Sequence, residues 1–322
     1  MSAIRQQGKL NEDTTLLDIG MLGIYGLTAV YLVRGEKTCL IDGGTSTEAP
    51  RMIKMLRELH AFPPDYVVLT HPHYDHTQGI PQLRKAAPGK YKMEVLASHE
   101  AVPLLADHTF NDPFSKGPYE SIQNVTPLKE GDTLDLGGLT LRVYEVPGHC
   151  QGHLAILDEK NGTLFVGDAL GVKMTDHTFL PPFMPPTWDP EAFLNSVNKL
   201  KQIPHQSLCL AHFGCLYGDE AASILDEAVE VYHRWWELYE RNADRLNDTD
   251  HLLQVMRKEI NPALPDIRPT SLGMNILMGL TVTAGKVSGS ETAILDKLAF
   301  GDYLKWLAIG YQTYNTQHKG EK

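Results

Sequence analysis

Within six positions, His71-Pro72-His73-Tyr74-Asp75-His76 carries three imidazoles and a carboxylate. The cluster follows Tyr66-Val67-Val68-Leu69, an apolar run with the character of a strand. Such a strand delivers the cluster as a tight loop at its carboxyl end. Neutral imidazole and ionised carboxylate are good ligands for zinc and other divalent first-row metals. Four such groups held together repel one another or titrate unless a cation sits among them. A solvated His-rich loop is the plainer alternative, and the dense spacing argues against it.

Three further ligand-type residues each stand just past a β-prone apolar run. His149 follows Leu139 to Val146, Asp168 follows Thr163 to Val166, and His212 follows Leu208 to Ala211. A lone His or Asp in such a place carries little weight. The repetition is the signal, because an α/β scaffold assembles one site from the ends of several strands. Asp42, after Cys39-Leu40-Ile41 and before Gly43-Gly44, sits in the same kind of position. It either orients a ligand imidazole through a hydrogen bond or satisfies backbone N–H groups in the turn.

These residues in this order resemble the motifs of the metallo-β-lactamase superfamily: His71-x-His73-x-Asp75-His76, His149, Asp168 and His212, with Asp42 as its early aspartate. The resemblance runs over roughly residues 14 to 222. It implies an α/β fold, an αββα sandwich, followed here by a helical C-terminal region. It implies two divalent metal ions, zinc first among the choices, with iron and manganese as others. His71, His73 and His149 would bind the first ion; Asp75, His76 and His212 the second. Asp168 would bridge them and leave room for a water. Two ions about 3.5–4 Å apart deprotonate such a water at neutral pH, so Asp75 and Asp168 serve catalysis through the metals. No GxSxG elbow offers a side-chain nucleophile instead.

Members of the superfamily differ in chemistry. The β-lactamases commonly carry Cys where this chain has Asp168, and flavodiiron reductases carry Glu where it has His73. Glyoxalase-II-like thioesterases and lactonases share the whole pattern. The resemblance therefore favours hydrolysis of a small ester, thioester or lactone. A persulfide dioxygenase with one iron is the alternative, and a phosphodiesterase is a more distant one.

The 322 residues are 42% hydrophobic and 21% charged, the composition of a soluble globular protein, with a formal net charge of -11. An acidic chain without a basic run is a poor partner for nucleic acid, so a small-molecule substrate is expected. The four cysteines form no CxxC pair, the N-terminus reads as no signal peptide, and Leu272 to Ala284 is too short and interrupted to span a bilayer. The expectation is a cytoplasmic protein with no membrane partner.

The elements that must position the ligands follow from periodicity. Leu16 to Ile19, Thr28 to Val33, Thr38 to Ile41, Glu94 to Ala97, Leu134 to Leu136 and His153 to Leu157 add further strands, with turns at Gly35-Glu36-Lys37 and Asn161-Gly162. Pro50 to Leu59 carries a helical stripe, and Gly79-Ile80-Pro81 begins another helix. Residues 108–124 and 171–190 read as irregular. Position and composition make the second a pocket wall, with Phe183 and Trp188 touching substrate. Tyr217, five residues after His212, either touches a substrate oxygen or serves packing. His153 suits a buried, orienting role; His108 and His177 lack neighbouring ligands. From Asp219 onward the pattern is helical, with helices expected up to Tyr239, at Thr249 to Ile260, Ser271 to Lys286 and Ser290 to Gln317. The chain thus divides into a catalytic domain, 14–222, and a helical region, 223–322, whose aromatic stripe serves a core or an association between copies.

Overall fold

A computed structural model of the protein describes residues 3–89, 92–114, 117–264, 268–270 and 291–318. Two large sheets dominate it. The first has the order Gly8–Lys9, Thr14–Asp18, Ala29–Arg34, Thr38–Ile41, Tyr66–Val68, Glu94–Ser98, Val125–Leu128. It is antiparallel up to Thr38–Ile41 and parallel beyond. Parallel neighbours need crossovers, and helices Ala49–Glu58, Ile80–Ala86 and Ala101–Ala106 supply them. The second sheet has the order Gly214–Tyr217, Ser207–Leu210, Thr163–Gly167, Leu154–Asp158, Thr140–Glu145, Thr133–Asp135. Its one parallel pair joins Thr163–Gly167 to Ser207–Leu210.

Alternation along the strands makes four layers. Leu16, Tyr31, Ile41 and Val68 of the first sheet meet Leu154, Ile156, Phe165 and Cys209 of the second in a central core. The residues between them point outward. Leu17, Val30, Leu32 and Val67 pack under the helices carrying Met52, Leu56, Ile80 and Leu83. Ala155, Leu164, Val166 and Leu208 pack on the other side against Phe193, Ile224, Tyr232 and Trp235. A period of two, buried on both faces, therefore makes an αββα sandwich.

The C-terminal helices Asp219–Arg241, Thr249–Glu259 and Glu291–Gln317 share that third core. The division expected at 222/223 falls inside the first of them, whose Ala221 and Ile224 are both buried. The helix expected over 271–286 lies outside the described residues. Among the described residues, no helix is long and apolar enough to cross a membrane.

The segment 171–190 is more ordered than its sequence promises. Val172–Thr175 and Thr178–Leu180 pair as a hairpin, and Pro190 opens helix Pro190–Leu200. The Asp189 carboxylate caps that helix by accepting from the Ala192 N–H at 2.9 Å.

Candidate active site

The ligand-type residues converge at one edge of the two sheets. Ring nitrogens of His71, His73 and His149 form one triad, Asp75, His76 and His212 another, and His71, His76 and Asp168 a third. Within each triad the ligand atoms lie within 4.8 Å of one another. Asp168 is central: its Oδ2 is 3.5 Å from His76 Nε2, 3.4 Å from His212 Nε2 and 3.8 Å from His149 Nε2. Asp75 Oδ2 lies 3.3 Å from His212 Nε2.

His71, His149, Asp168 and His212 arrive just past strand ends, Asp75 and His76 lie on the short helix Tyr74–Thr77, and two approaches require glycine. Gly148 has φ +135°, and a Cβ there would stand 2.4 Å from the Phe193 backbone. Gly167 has φ +51°, and a Cβ would stand 2.7 Å from Thr70 Oγ1. These glycines let the chain pass close by just before His149 and Asp168.

The imidazoles are aimed by partners on their far sides. His149 Nδ1 donates to Pro182 O at 2.7 Å, and His212 Nδ1 to Leu27 O at 2.5 Å. His76 Nδ1 donates to Asp42 Oδ2 at 2.9 Å. Asp42 also accepts from the Thr70 N–H at 2.7 Å and from the Thr70 hydroxyl. That hydroxyl in turn accepts from His71 Nδ1 at 3.0 Å. One carboxylate thus orients His76 directly and His71 through Thr70. With the protons held outward, the Nε2 lone pairs face the centre.

The electrostatics divide the imidazoles: His71 and His73 are held neutral, while the carboxylates favour the protonated form of His76. Burial, then the neighbouring imidazoles, hold His71 well below its ordinary value. Burial and His149 do the same to His73. Burial alone would lower His76, but Asp168, Asp75 and Asp42 outweigh it and hold it well above. Burial would raise Asp75, yet His76 and His212 pull it down to about 2. Asp168 is held low by His212 and His76 against the same penalty of burial.

The buried Nε2 atoms of His71, His73 and His76 and Oδ1 of Asp168 have no hydrogen-bond partner. Unpaired buried polar atoms are costly, and so many in one place point to a missing partner. A divalent cation fits: the donors are nitrogen and oxygen, and their lone pairs converge.

His153 lies beside the cluster rather than in it. Its Nε2 accepts from the Asp168 N–H at 3.2 Å, and its ring stacks on that of His71. His108 and His177 are exposed, and Cys150 is buried.

The expected substrate contacts lie elsewhere. Phe183 is wholly buried, with Trp188, Trp236 and Tyr239 around it. Trp188 packs on Phe193 and Tyr232. The expectation that Phe183 and Trp188 wall the approach is corrected: helix Asp219–Arg241 covers that face of the loop and takes both rings into the core. Tyr217 donates to Leu10 O at 3.3 Å, and its ring packs against the core between the sheets. Of the apolar residues in the 171–190 segment, Val172, Met174 and Met184 do reach the site.

The cavity beside the cluster encloses about 910 Å³. His73, Asp75, His149, Asp168 and His212 form its floor. Phe114 stands over His73 at 4.8 Å between ring centroids, and Trp306 Nε1 donates to Phe114 O at 3.3 Å. Phe114, Trp306 and the Thr70 relay carry no sequence signal, because tertiary contacts alone place them.

Residues 24–212 match the sequence model of the metallo-beta-lactamase superfamily, more than half of the chain. The chain belongs to that superfamily. A hydroxyacylglutathione hydrolase of Rhodopseudomonas palustris is 35% identical over 140 residues, 44% of this chain and 47% of that protein. The human acyl-coenzyme A thioesterase MBLAC2 is 29% identical over 160 residues, 44% of this chain and 57% of that protein. Matches to the hydroxyacylglutathione hydrolases span 33% to 56% of their length. A solved archaeal superfamily member from Sulfolobus tokodaii aligns with a TM-score of 0.54 at 22% identity, covering 70% of this chain and 87% of that one. A B3 metallo-beta-lactamase aligns with a TM-score of 0.55 at 19% identity, covering 72% and 90%. At these identities the structural likeness speaks for the fold.

Proposed function

We propose that the cluster is the active centre of a metal-dependent hydrolase acting on a small ester, thioester or lactone. In this reading His71, His73 and His149 would hold one divalent ion, Asp75, His76 and His212 would hold a second, and Asp168 would serve as a ligand beside them. Zinc is the element proposed. Such a pair supplies Lewis acidity and a water deprotonated at neutral pH.

The carrying observation is the position of Asp168 Oδ2, within 3.8 Å of ring nitrogens on His76, His149 and His212. A lone ion on His71, His73 and His149 would leave Asp75, His76 and His212 gathered without purpose. The protein's own contribution is preparation. Asp42 and Thr70 fix two rings, burial keeps His71 and His73 neutral, and the imidazoles keep Asp75 and Asp168 ionised. These four are in the protonation states that metal binding requires, and His76, held high by the carboxylates, would release a proton as an ion binds.

The relatives' names support thioester cleavage among the three bonds. Residues 14–222 then form the catalytic part, and the helices beyond form one wall of its cavity. The buried free thiols fit a reducing compartment, and we assign the protein to the cytoplasm.

Elemental analysis of protein purified without added metal, followed by a panel of thioesters, lactones, esters and phosphodiesters, tests the reading. Two zinc ions per chain and turnover of a carboxylic ester, thioester or lactone are expected. One iron per chain, kept in an Asp75→Ala variant, with oxygen consumed in the presence of a persulfide, would replace it with the dioxygenase reading.

A further inference from the structure

The wall of the cavity beyond the ligand cluster is apolar and belongs to two distant parts of the chain. Leu22, Ile24 and Leu27 line one side, and Leu298, Tyr303 and Trp306 of helix Glu291–Gln317 line another. Leu22 is 68% exposed and Leu298 63%, the large hydrophobic residues of the described chain that stand out in solvent. Both belong to this one lining. Leu22 is also held outward: its φ is +54°, a conformation leucine rarely adopts, and its N–H donates to Glu48 Oε1 at 3.2 Å. A grouped, exposed apolar surface beside a reactive site marks a place for an apolar ligand.

In the lining, acidic side chains outnumber basic ones among the described residues. Among the described residues, its basic side chain other than histidine is Arg5. Arg5 is already engaged: Nη1 donates to Lys173 O and Phe213 O at 3.0 and 3.1 Å, and Nη2 pairs with Asp176 at 2.9 Å. Away from the cluster the lining carries Glu220, together with Asp176, which pairs with Arg5, and Asp302, which pairs with Lys305 at 2.9 Å. Among the described residues a phosphate-bearing carrier would find no unengaged arginine or lysine in this lining, and it would meet the Glu220 carboxylate.

We propose that the substrate combines a long aliphatic tail with an uncharged leaving group. The tail lies between the Leu22–Leu27 segment and the Leu298–Trp306 face of the last helix. The carrier is not a phosphorylated one of the coenzyme A kind. This inference rests on the hydrolase reading for the bond cleaved, while the tail site stands on the lining alone. A volume of about 910 Å³ is at the upper end for small-molecule pockets and has room for such a chain.

Two measurements on the metal-loaded protein test it. In calorimetry, uncharged N-methyl alkanamides from hexanoyl to tetradecanoyl, kept below their micelle concentration, report tail binding without any turnover. Kd should tighten by about fourfold per added methylene until the cavity is filled. Leu298→Asp and Leu22→Asp should each flatten that series. Both positions are exposed, so the variants should fold, and melting curves check that they do. Desulfo-coenzyme A should give no saturable heat. In turnover, kcat/KM for an uncharged alkyl thioester should exceed that for the matching acyl-coenzyme A by about tenfold or more.

A flat chain-length series overturns the tail site, even where esters are cleaved. Saturable desulfo-coenzyme A binding, or preference for the coenzyme A thioester, overturns the uncharged leaving group. Length-dependent amide binding with no ester, thioester or lactone cleaved supports the tail site and overturns the hydrolase reading instead.

Discussion

Asp42 Oδ2 lies 2.9 Å from His76 Nδ1, and the other side of that ring turns its Nε2 toward Asp168 and Asp75. The same carboxylate reaches His71 through the Thr70 hydroxyl. Asp42 therefore sets two imidazoles in both proposed ion sites at once. It does so from a backbone φ of +66°, which aspartate and asparagine tolerate better than other side chains.

Asp42→Asn tests that relay without disturbing the backbone. The amide keeps the shape and the left-handed conformation. It loses a charged acceptor and places an NH₂ against a donor. Metal affinity should fall by about 10–100-fold, the range for partners behind ligand histidines. Competition against a chelator of known affinity measures it, and circular dichroism checks the fold. Unchanged affinity would reduce Asp42 to a turn residue.

Removing the metal should lower the melting temperature. Ions that bind only the folded chain add stability by mass action, and without them the His71, His73 and His76 nitrogens and Asp168 Oδ1 stay buried and unpaired. Dialysis against a chelator should lower Tm, and zinc should restore it. His71→Ala and Asp168→Ala should each lose metal and hydrolysis together while the far-UV spectrum persists. A melting temperature indifferent to metal, in protein shown by elemental analysis to have lost it, would contradict a shared ion-binding role for these atoms.

The ligand-type positions were legible in the sequence because each follows a short apolar run, and a strand end fixes both place and direction. His71, His149, Asp168 and His212 all have that signature. The hairpin Val172–Thr175 to Thr178–Leu180 was not legible, since Asp176-His177 lacks the glycine or asparagine that marks such a turn. Phe183 and Trp188 show the deeper limit. Aromatic residues in a proline-rich loop have to be covered, but composition does not say by what. Substrate and helix Asp219–Arg241 are equal candidates until the helix is seen on top of them. The lining at Leu298 and Trp306 comes from the other end of the chain, beyond any local pattern.

Trp188→Ala and Phe183→Ala should accordingly act on stability. Both rings sit in a cluster of aromatic contacts, at 5.9 Å between their own centroids. Truncating a buried aromatic costs about 3–5 kcal/mol through lost burial and a residual cavity. Each variant should show a large loss in urea midpoint, with relative kcat/KM across a substrate panel little changed in the folded fraction. A change of substrate preference at unchanged stability would return these residues to the pocket wall.

Glu48 offers a test in pH. Its side chain is buried at the start of helix Ala49–Glu58, where it accepts from the Thr45 hydroxyl and the Leu22 N–H. Burial raises its carboxyl above the ordinary value of 4.5, more than the Leu22 hydrogen bond and Arg51 lower it. The folded protein thus holds this proton more tightly than the unfolded chain. The resulting stabilisation is fully present below the unfolded value and is lost as pH rises through the raised folded one. Glu48→Gln stays neutral and can still accept from Leu22, so it escapes that loss. The difference in Tm, variant minus wild type, should therefore grow more positive from about pH 4 to about pH 7. Metal released at acid pH affects both proteins alike and cancels in the difference. Thermal melts at several pH values read it directly. A difference that is flat, or that shrinks with rising pH, would mean that Glu48 is ionised in the folded state at no cost, held by its hydrogen bonds and by Arg51.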